Sequence, residues 1–318
     1  MSQVAVKRSA PVVESVLELV GSTPLLHLNQ FGKGLDLWAK LEYLNPGGSV
    51  KDRVGVGMIQ AAEKAGLIKP GVSTIIEPTA GNTGVGLAIA AKALGYRCIL
   101  CVPTKYSREK MQLMKALGAE LVLIPKAEGM KGAIAKCAEL AASIPNAYVP
   151  QQFENPSNPD SHYATTGPEI WEQTGGKVDA VVFGAGSGGT FTGIVRFLKE
   201  KNPNLLAVCV QPVGSVFCGQ PVSEWKVEGI GNGFLPGSLD LALADRVMDV
   251  KDEDSLATAR ELIGSEGCLV GGSSGANAWA ARELARELGP GKRVVTLFPD
   301  GAERYLSKFP VADLVIPE

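Results

Sequence analysis

Short runs of aliphatic and β-branched residues alternate along this chain with longer stretches of helical periodicity, and no other feature limits the possible folds as strongly. Strand-like runs read at Leu37–Leu41, Thr74–Glu77, Cys98–Val102, Glu120–Ile124, Ala180–Phe183, Ala207–Gln211 and Val294–Phe298. Most are apolar at consecutive positions, as in strands covered on both faces. Helical stretches lie between them at Lys51–Ala65, Thr83–Leu94, Ser107–Leu117, Met130–Ser143, Thr190–Lys201, Asp252–Gly264 and Gly275–Leu288. This order predicts an α/β protein with parallel strands joined by crossover helices. Gly66, Gly95 and Gly118 each follow a helix, where the left-handed terminating turn favours glycine.

A length of 318 residues suits about two domains of ~150 residues each. The segment from Pro145 to Pro159, rich in proline and asparagine and lacking either periodicity, is the expected junction. Its amides suit the lining of a cleft between domains. A net charge of -2 supplies no basic field for a nucleic acid. The start has no continuous apolar run, and the longest uncharged stretch, Asn202 to Ser223, is broken by Pro203, Pro212 and Pro221, so a cytoplasmic protein without a membrane partner is expected. Cys98 and Cys101 form a CxxC inside the apolar run CILCV. Residues three apart on a strand point to opposite faces, so both read as core cysteines and no metal site is expected.

The 38 glycines concentrate attention on three loops. In FGAGSGGTFTG, Gly184, Gly186 and Gly189 fit GxGxxG between a strand and a helix, where main-chain N–H groups and the helix start can hold an anion. A tight strand-to-helix turn uses the same pattern. A dinucleotide site would want an acidic residue ending the next strand, yet AVCVQ ends in Gln211, so a single phosphate monoester fits better, with Thr190 adding a hydroxyl. In GGSSGA, Gly271, Ser273 and Gly275 match GxSxG, but the only histidines, His27 and His162, both precede that serine, against the hydrolase order. In EPTAGNTGVGLA, Thr79, Asn82, Thr83 and local N–H groups could receive a carboxylate, or Asn82 could simply cap the helix.

NPGGSVKDR places Lys51 at the start of a helix behind a glycine turn. The positive helix end and Arg53 both disfavour an ammonium there, with Asp52 offsetting part of the effect. A neutral lysine amine is what Schiff-base chemistry needs, although a lysine taken alone reads first as a solvated surface residue, and it is the surrounding glycines and the other two loops that favour the amine reading.

With GSTPLL, AKLEYLNPGGSVKDR, IIEPTAGNTGVGLA, QQFENPSNP, TTGPEIW, GAGSGGTFTG, VEGIGNGF, GGSSGAN and ERYLS in this order, the chain resembles the cysteine synthase and cystathionine β-synthase family over almost its whole length. The resemblance implies pyridoxal 5'-phosphate as cofactor and two open, mainly parallel sheets with helices on both faces, the fold of tryptophan synthase β. It implies a smaller, mobile domain at residues 36–150 carrying the substrate loop, and a larger one at 1–35 and 151–318 carrying the phosphate loop. By the same resemblance Lys51 holds the cofactor and moves the substrate's α-proton, and Asn82 contacts the 3'-hydroxyl. Gly186, Ser187, Gly188, Gly189 and Thr190 hold the phosphate, and Ser273 faces the pyridine nitrogen. Thr79, Ala80, Gly81 and Thr83, with Gln152, take the substrate carboxylate.

The implied reaction removes the β-substituent of O-acetylserine or serine and replaces it with sulfide, as in cysteine synthase, or with homocysteine, as in cystathionine β-synthase. A homodimer is implied too. The chain would correspond to the catalytic core alone, without haem-binding or regulatory extensions. Ala80 stands where many relatives have serine, and Glu228 in VEGIG resembles the cystathionine β-synthases, whereas TTGPEIW leans towards the cysteine synthases. A serine or threonine dehydratase is the nearest chemical rival, and would release an oxo acid without a thiol. A dehydrogenase is disfavoured by Gln211, and a silent binding module would retain cofactor without turnover.

Overall fold

The computed structural model describes residues 12–79 and 81–307, and in it the strand–helix alternation forms two sheets. In chain order the first half contains β1 (Leu25–His27), β2 (Asp36–Leu41), α1 (Lys51–Lys64), β3 (Thr74–Pro78), α2 (Asn82–Leu94), β4 (Arg97–Pro103), α3 (Arg108–Ala116), β5 (Glu120–Ile124), α4 (Gly129–Ser143) and β6 (Ala147–Tyr148). The second contains α5 (Ser157–Ala164), α6 (Thr166–Gln173), β7 (Ala180–Gly184), α7 (Gly189–Lys201), β8 (Leu206–Pro212), β9 (Arg246–Val250), α8 (Asp252–Glu266), α9 (Gly272–Leu288) and β10 (Arg293–Phe298).

One sheet has the order β1-β2-β10-β7-β8-β9, with only the β1–β2 pair antiparallel. The other has the order β5-β4-β3-β6 and is parallel throughout. Both sheets are buried on two faces, which is why their strands are apolar at successive positions. Along β7, Ala180 and Val182 enter one apolar cluster while Val181 and Phe183 enter another. Along β4, Cys98, Leu100 and Val102 pack on one side, and Ile99 and Cys101 on the other. The two cysteines of the CxxC thus occupy opposite faces and cannot share a metal ion. No helix among the described residues is long and apolar enough to cross a membrane.

One expectation needs correction. Strand β2, which falls inside the 36–150 span, pairs with β1 and β10 in the six-stranded sheet, so residue 36 does not separate the sheets. The stretch Pro145–Pro159 contains β6, the last strand of the four-stranded sheet in chain order, and the start of α5; beyond it β7 to β10 all enter the six-stranded sheet. Backbone contacts there are satisfied by β3, since Thr74 and Ile75 pair with Ala147 and Tyr148.

Open parallel sheets gather their loops at the carboxyl ends of the strands, where ligands bind. Here the loop after β7, the residues following β10 and the turn into α1 meet. Ser49 bridges to Asp300, and the Val50 N–H donates to the Pro299 carbonyl at 2.8 Å.

Candidate active site

Lys51 is the first residue of α1. Helices α1 and α2 touch through glycines: a Cβ on Gly55 would lie 2.4 Å from the Gly86 carbonyl carbon, and one on Gly86 would lie 2.3 Å from the Lys51 carbonyl oxygen. Only glycine permits so close an approach. It sets Lys51 against the helix into which the EPTAGNTG loop runs. The Lys51 Nζ donates to Ser187 Oγ at 3.2 Å, and burial lowers its pKa from 10.5 to about 8. Burial, not Arg53, is therefore what favours the neutral amine. The Arg53 guanidinium is held instead by Glu42 and Glu169, each at 2.7 Å.

The second loop runs from Gly184 at the end of β7 to α7, and Lys51, Gly186, Gly188 and Thr190 line one cavity with Gly229 and Asn277. Gly188 has φ +90°, and a Cβ on it would sit 2.3 Å from Leu239 Cβ; one on Gly186 would sit 2.4 Å from the Gly229 carbonyl oxygen. The loop is thus pressed against its surroundings on its outer side. Thr190 Oγ1 lies 3.1 Å from His162 Nε2, and His162 Nδ1 lies 2.8 Å from Thr166 Oγ1. Burial, ahead of the charges of Lys51 and Arg53, holds the His162 pKa well below its usual value, so its ring is neutral. Ser187 Oγ also accepts from Asn158 Nδ2 at 3.0 Å. Sequence patterns offered Asn158 only within QQFENPSNP and gave no sign of His162.

Gly81 caps α2, and Asn82 is the helix's first residue, so the alternative of Asn82 as cap does not hold. The capping acceptor is the Thr79 hydroxyl, which takes the N–H groups of Gly81 and Gly84 at 3.1 Å each. Thr79 is fully buried and supports the loop from behind rather than converging with Asn82 and Thr83. The Asn82 Nδ2 donates to Asp300 Oδ2 at 2.6 Å, and its Oδ1 accepts from Arg304 at 3.0 Å. This pair fixes the orientation of the amide and leaves Nδ2 a second hydrogen. Thr83 donates to Gln152 Oε1 at 2.6 Å, joining two residues read from separate motifs. Ala80 lies outside the described residues.

Ser273, on the first turn of α9, is 2 % exposed and has its hydroxyl 3.9 Å from where a Cβ on Gly229 would be. At the strand end that argued against a dinucleotide, Gln211 is spent on structure: it donates to Asp249 and accepts the Phe217 N–H. Beside Gly229, Glu228 pairs with Lys110 at 3.0 Å, and the Lys110 ammonium also meets the Tyr305 hydroxyl at 2.9 Å.

One cavity is therefore lined both by a primary amine whose pKa burial has lowered to about 8 and by a glycine loop before a 13-residue helix. A carbonyl compound bearing a phosphate suits both, the carbonyl carbon meeting the amine and the anion meeting main-chain N–H groups at the helix start. The buried Oδ1 of Asn277 has no protein partner and lies on the same wall, a further polar atom available to a ligand.

A family profile described as pyridoxal-phosphate-dependent enzyme matches residues 16–300. An O-acetylserine-dependent cystathionine β-synthase from Bacillus subtilis (strain 168) is 47% identical over 299 residues, covering 93% of this chain and 97% of that protein. A cysteine synthase A from Salmonella typhi is 47% identical over 306 residues, covering 93% and 94%. The crystal structure of an O-acetylserine-dependent cystathionine β-synthase from Helicobacter pylori superposes with a TM-score of 0.89 at 44% identity, covering 94% of this chain and 99% of that one.

Proposed function

The chain belongs to the family of pyridoxal-phosphate-dependent enzymes, and from that premise we propose that it replaces the β-substituent of O-acetylserine, or of serine, with sulfide to give cysteine. It is an enzyme of the cysteine synthase and cystathionine β-synthase kind. The observation that carries the proposal is the shared cavity of Lys51 and the Gly186–Thr190 loop.

Lys51 would hold the cofactor through its amine, Gly186, Ser187, Gly188, Gly189 and Thr190 would take its phosphate, and Asn82 would meet the 3'-oxygen with the hydrogen that Asp300 leaves free. Bound there, pyridoxal phosphate supplies an electron sink at the substrate's α-carbon. Lys51 Nζ takes the α-proton and later returns it. Ser273 would face the ring nitrogen and would bring no negative charge there, which suits rapid departure of the β-substituent over prolonged storage of charge. The N–H groups at the start of α2, with Thr83 and Gln152, would bind the substrate carboxylate. The units built on the two sheets, a smaller one carrying that loop and a larger one carrying the phosphate loop, would close around it. We further assign the working enzyme to the cytoplasm, as a homodimer.

The Lys51 pKa of about 8 yields a test of the first step. Only the neutral amine attacks a carbonyl, so the rate at which apoprotein takes up pyridoxal phosphate should rise with pH and level off above about 8. Stopped-flow absorbance measures it, and a rate flat from pH 6.5 to 9 would contradict the assignment.

Homocysteine is the alternative nucleophile, favoured by the Glu228–Lys110 pair beside the cavity. A carboxylate and an ammonium there could receive the opposite charges of an amino-acid thiol, which sulfide lacks. If homocysteine is the substrate, Glu228→Gln should lower kcat/KM for it by about tenfold, as loss of one charged hydrogen bond implies, and leave the sulfide value nearly unchanged. Steady-state rates with both thiols distinguish the readings. No turnover with either, accompanied by release of pyruvate from serine, would favour a dehydratase.

A further inference from the structure

Glu77, in β3, has a fully buried carboxylate. Its Oε2 accepts the Gln151 N–H and its Oε1 the Gln152 N–H, each at 2.9 Å. Gln151 has φ +56°, a left-handed conformation that a side-chain-bearing residue adopts at a cost of about 1–2 kcal/mol. The turn that delivers Gln152 is thus one the backbone would not hold unaided. From its far side the Gln152 carbonyl accepts Asn158 Nδ2 at 2.7 Å, and Asn158 leads on through Ser187 to Lys51.

Among the described residues no cation pairs with Glu77. The ionisable groups that feel its charge are the Cys98 thiol on β4, the Cys137 thiol on α4 and the Tyr148 phenol on β6, all neutral or anionic. Glu77 and Glu154 line a cavity of about 290 Å³, separate from the one that Lys51 lines. Burial raises the Glu77 pKa from 4.5 to about 7, against the pull of the two N–H groups. A buried carboxylate without a counter-ion weakens a fold, and such groups cluster at functional sites.

We propose that Glu77 is a positioning residue which, by gripping two successive main-chain N–H groups, presents Gln152 to the carboxylate of the amino-acid substrate. The proposal rests on the reading of Gln152 given above. Ionised, Glu77 offers an acceptor to each N–H; protonated, one oxygen becomes a donor facing another donor, and the turn loosens. Its folded pKa lies above the unfolded value, so stability falls as pH rises from about 4.5 to about 7 and stays lower above that, while substrate binding tightens as pH rises through about 7.

The test is a spectral titration of the holoenzyme with O-acetylserine between pH 6 and 8.5. Glu77→Gln should bind about tenfold more weakly at pH 8 and lose the part of the pH dependence centred near 7, with the cofactor's visible band unchanged. Glu77→Asp, which keeps both acceptors, should fall between the two. If Glu77→Gln binds like the wild type while Gln152→Ala binds weakly, the positioning role is overturned and the reading of Gln152 stands. If Gln152→Ala also binds like the wild type, the reading of Gln152 falls and the role of Glu77 with it.

Discussion

Lys51→Ala, mixed with pyridoxal phosphate, is expected to develop no lysine-bound visible band and to lose turnover by on the order of 10³-fold or more, since one residue serves as both covalent anchor and proton carrier. The fold should survive, because alanine suits the first turn of a helix and the amine's one hydrogen-bond partner among the described residues is Ser187. The apoprotein should even gain stability at neutral pH. A lysine whose folded pKa is lowered from 10.5 to about 8 weakens the fold wherever it is charged in both states, that is below about 8. The gain in Tm should therefore be full at pH 7 and shrink as pH climbs from about 8 towards 10.5. Far-UV circular dichroism, absorbance spectra and thermal melts across that range check all three statements.

Gly188→Ala should weaken cofactor binding by about 100-fold or more, the loss expected when two or more hydrogen bonds to a charged group are misplaced. A methyl at this position meets Leu239 Cβ at 2.3 Å and Leu239 Cα at 2.5 Å, so the main chain of the loop must move. The φ of +90° adds about 1–3 kcal/mol of strain for a non-glycine residue. Gly175→Ala separates these effects. Gly175 also has positive φ, +60°, but nothing lies within 4 Å of a Cβ there. It should cost some stability and leave the affinity for pyridoxal phosphate intact. Fluorescence titration of each apoprotein measures the difference, and equal affinity for the two variants would mean that the Gly186–Thr190 loop does not hold the phosphate.

Local patterns revealed the buried parallel strands and the long helices because each is a run of residues with one periodicity. Runs such as AVVF before GAGSGG kept the same bounds within a residue or two. Short or marginal elements escaped. Helix α5, SNPDSHYA, carries a proline and spans only eight residues, and α6, TGPEIWEQ, is no longer. Strand β9, RVMDV, lies at a sheet edge with one fully buried residue, so its pattern is diluted. β1 owes its existence to pairing with β2.

In the site, glycine loops were legible because only glycine tolerates their contacts, and Lys51 because it follows one. The origin of its lowered pKa was not, since desolvation depends on what packs around the amine, and the side chain of Arg53 turned out to be committed to Glu42 and Glu169. Glu77, His162, Asp300 and Arg304 act through partners 28 to 222 positions away in the chain, and no local spacing reports such pairs. The sheet to which β2 belongs was likewise set by a distant strand, β10.

The central claim is that one buried amine at the start of α1 carries the cofactor. Borohydride reduction of the holoprotein fixes the cofactor to whichever amine holds it, and peptide mass mapping then locates the mark. The account predicts the added mass on the peptide containing Lys51, stoichiometric with protein and absent from Lys51→Ala. Stoichiometric addition at any other lysine, or none at Lys51 in a protein reconstituted with excess pyridoxal phosphate, would contradict it.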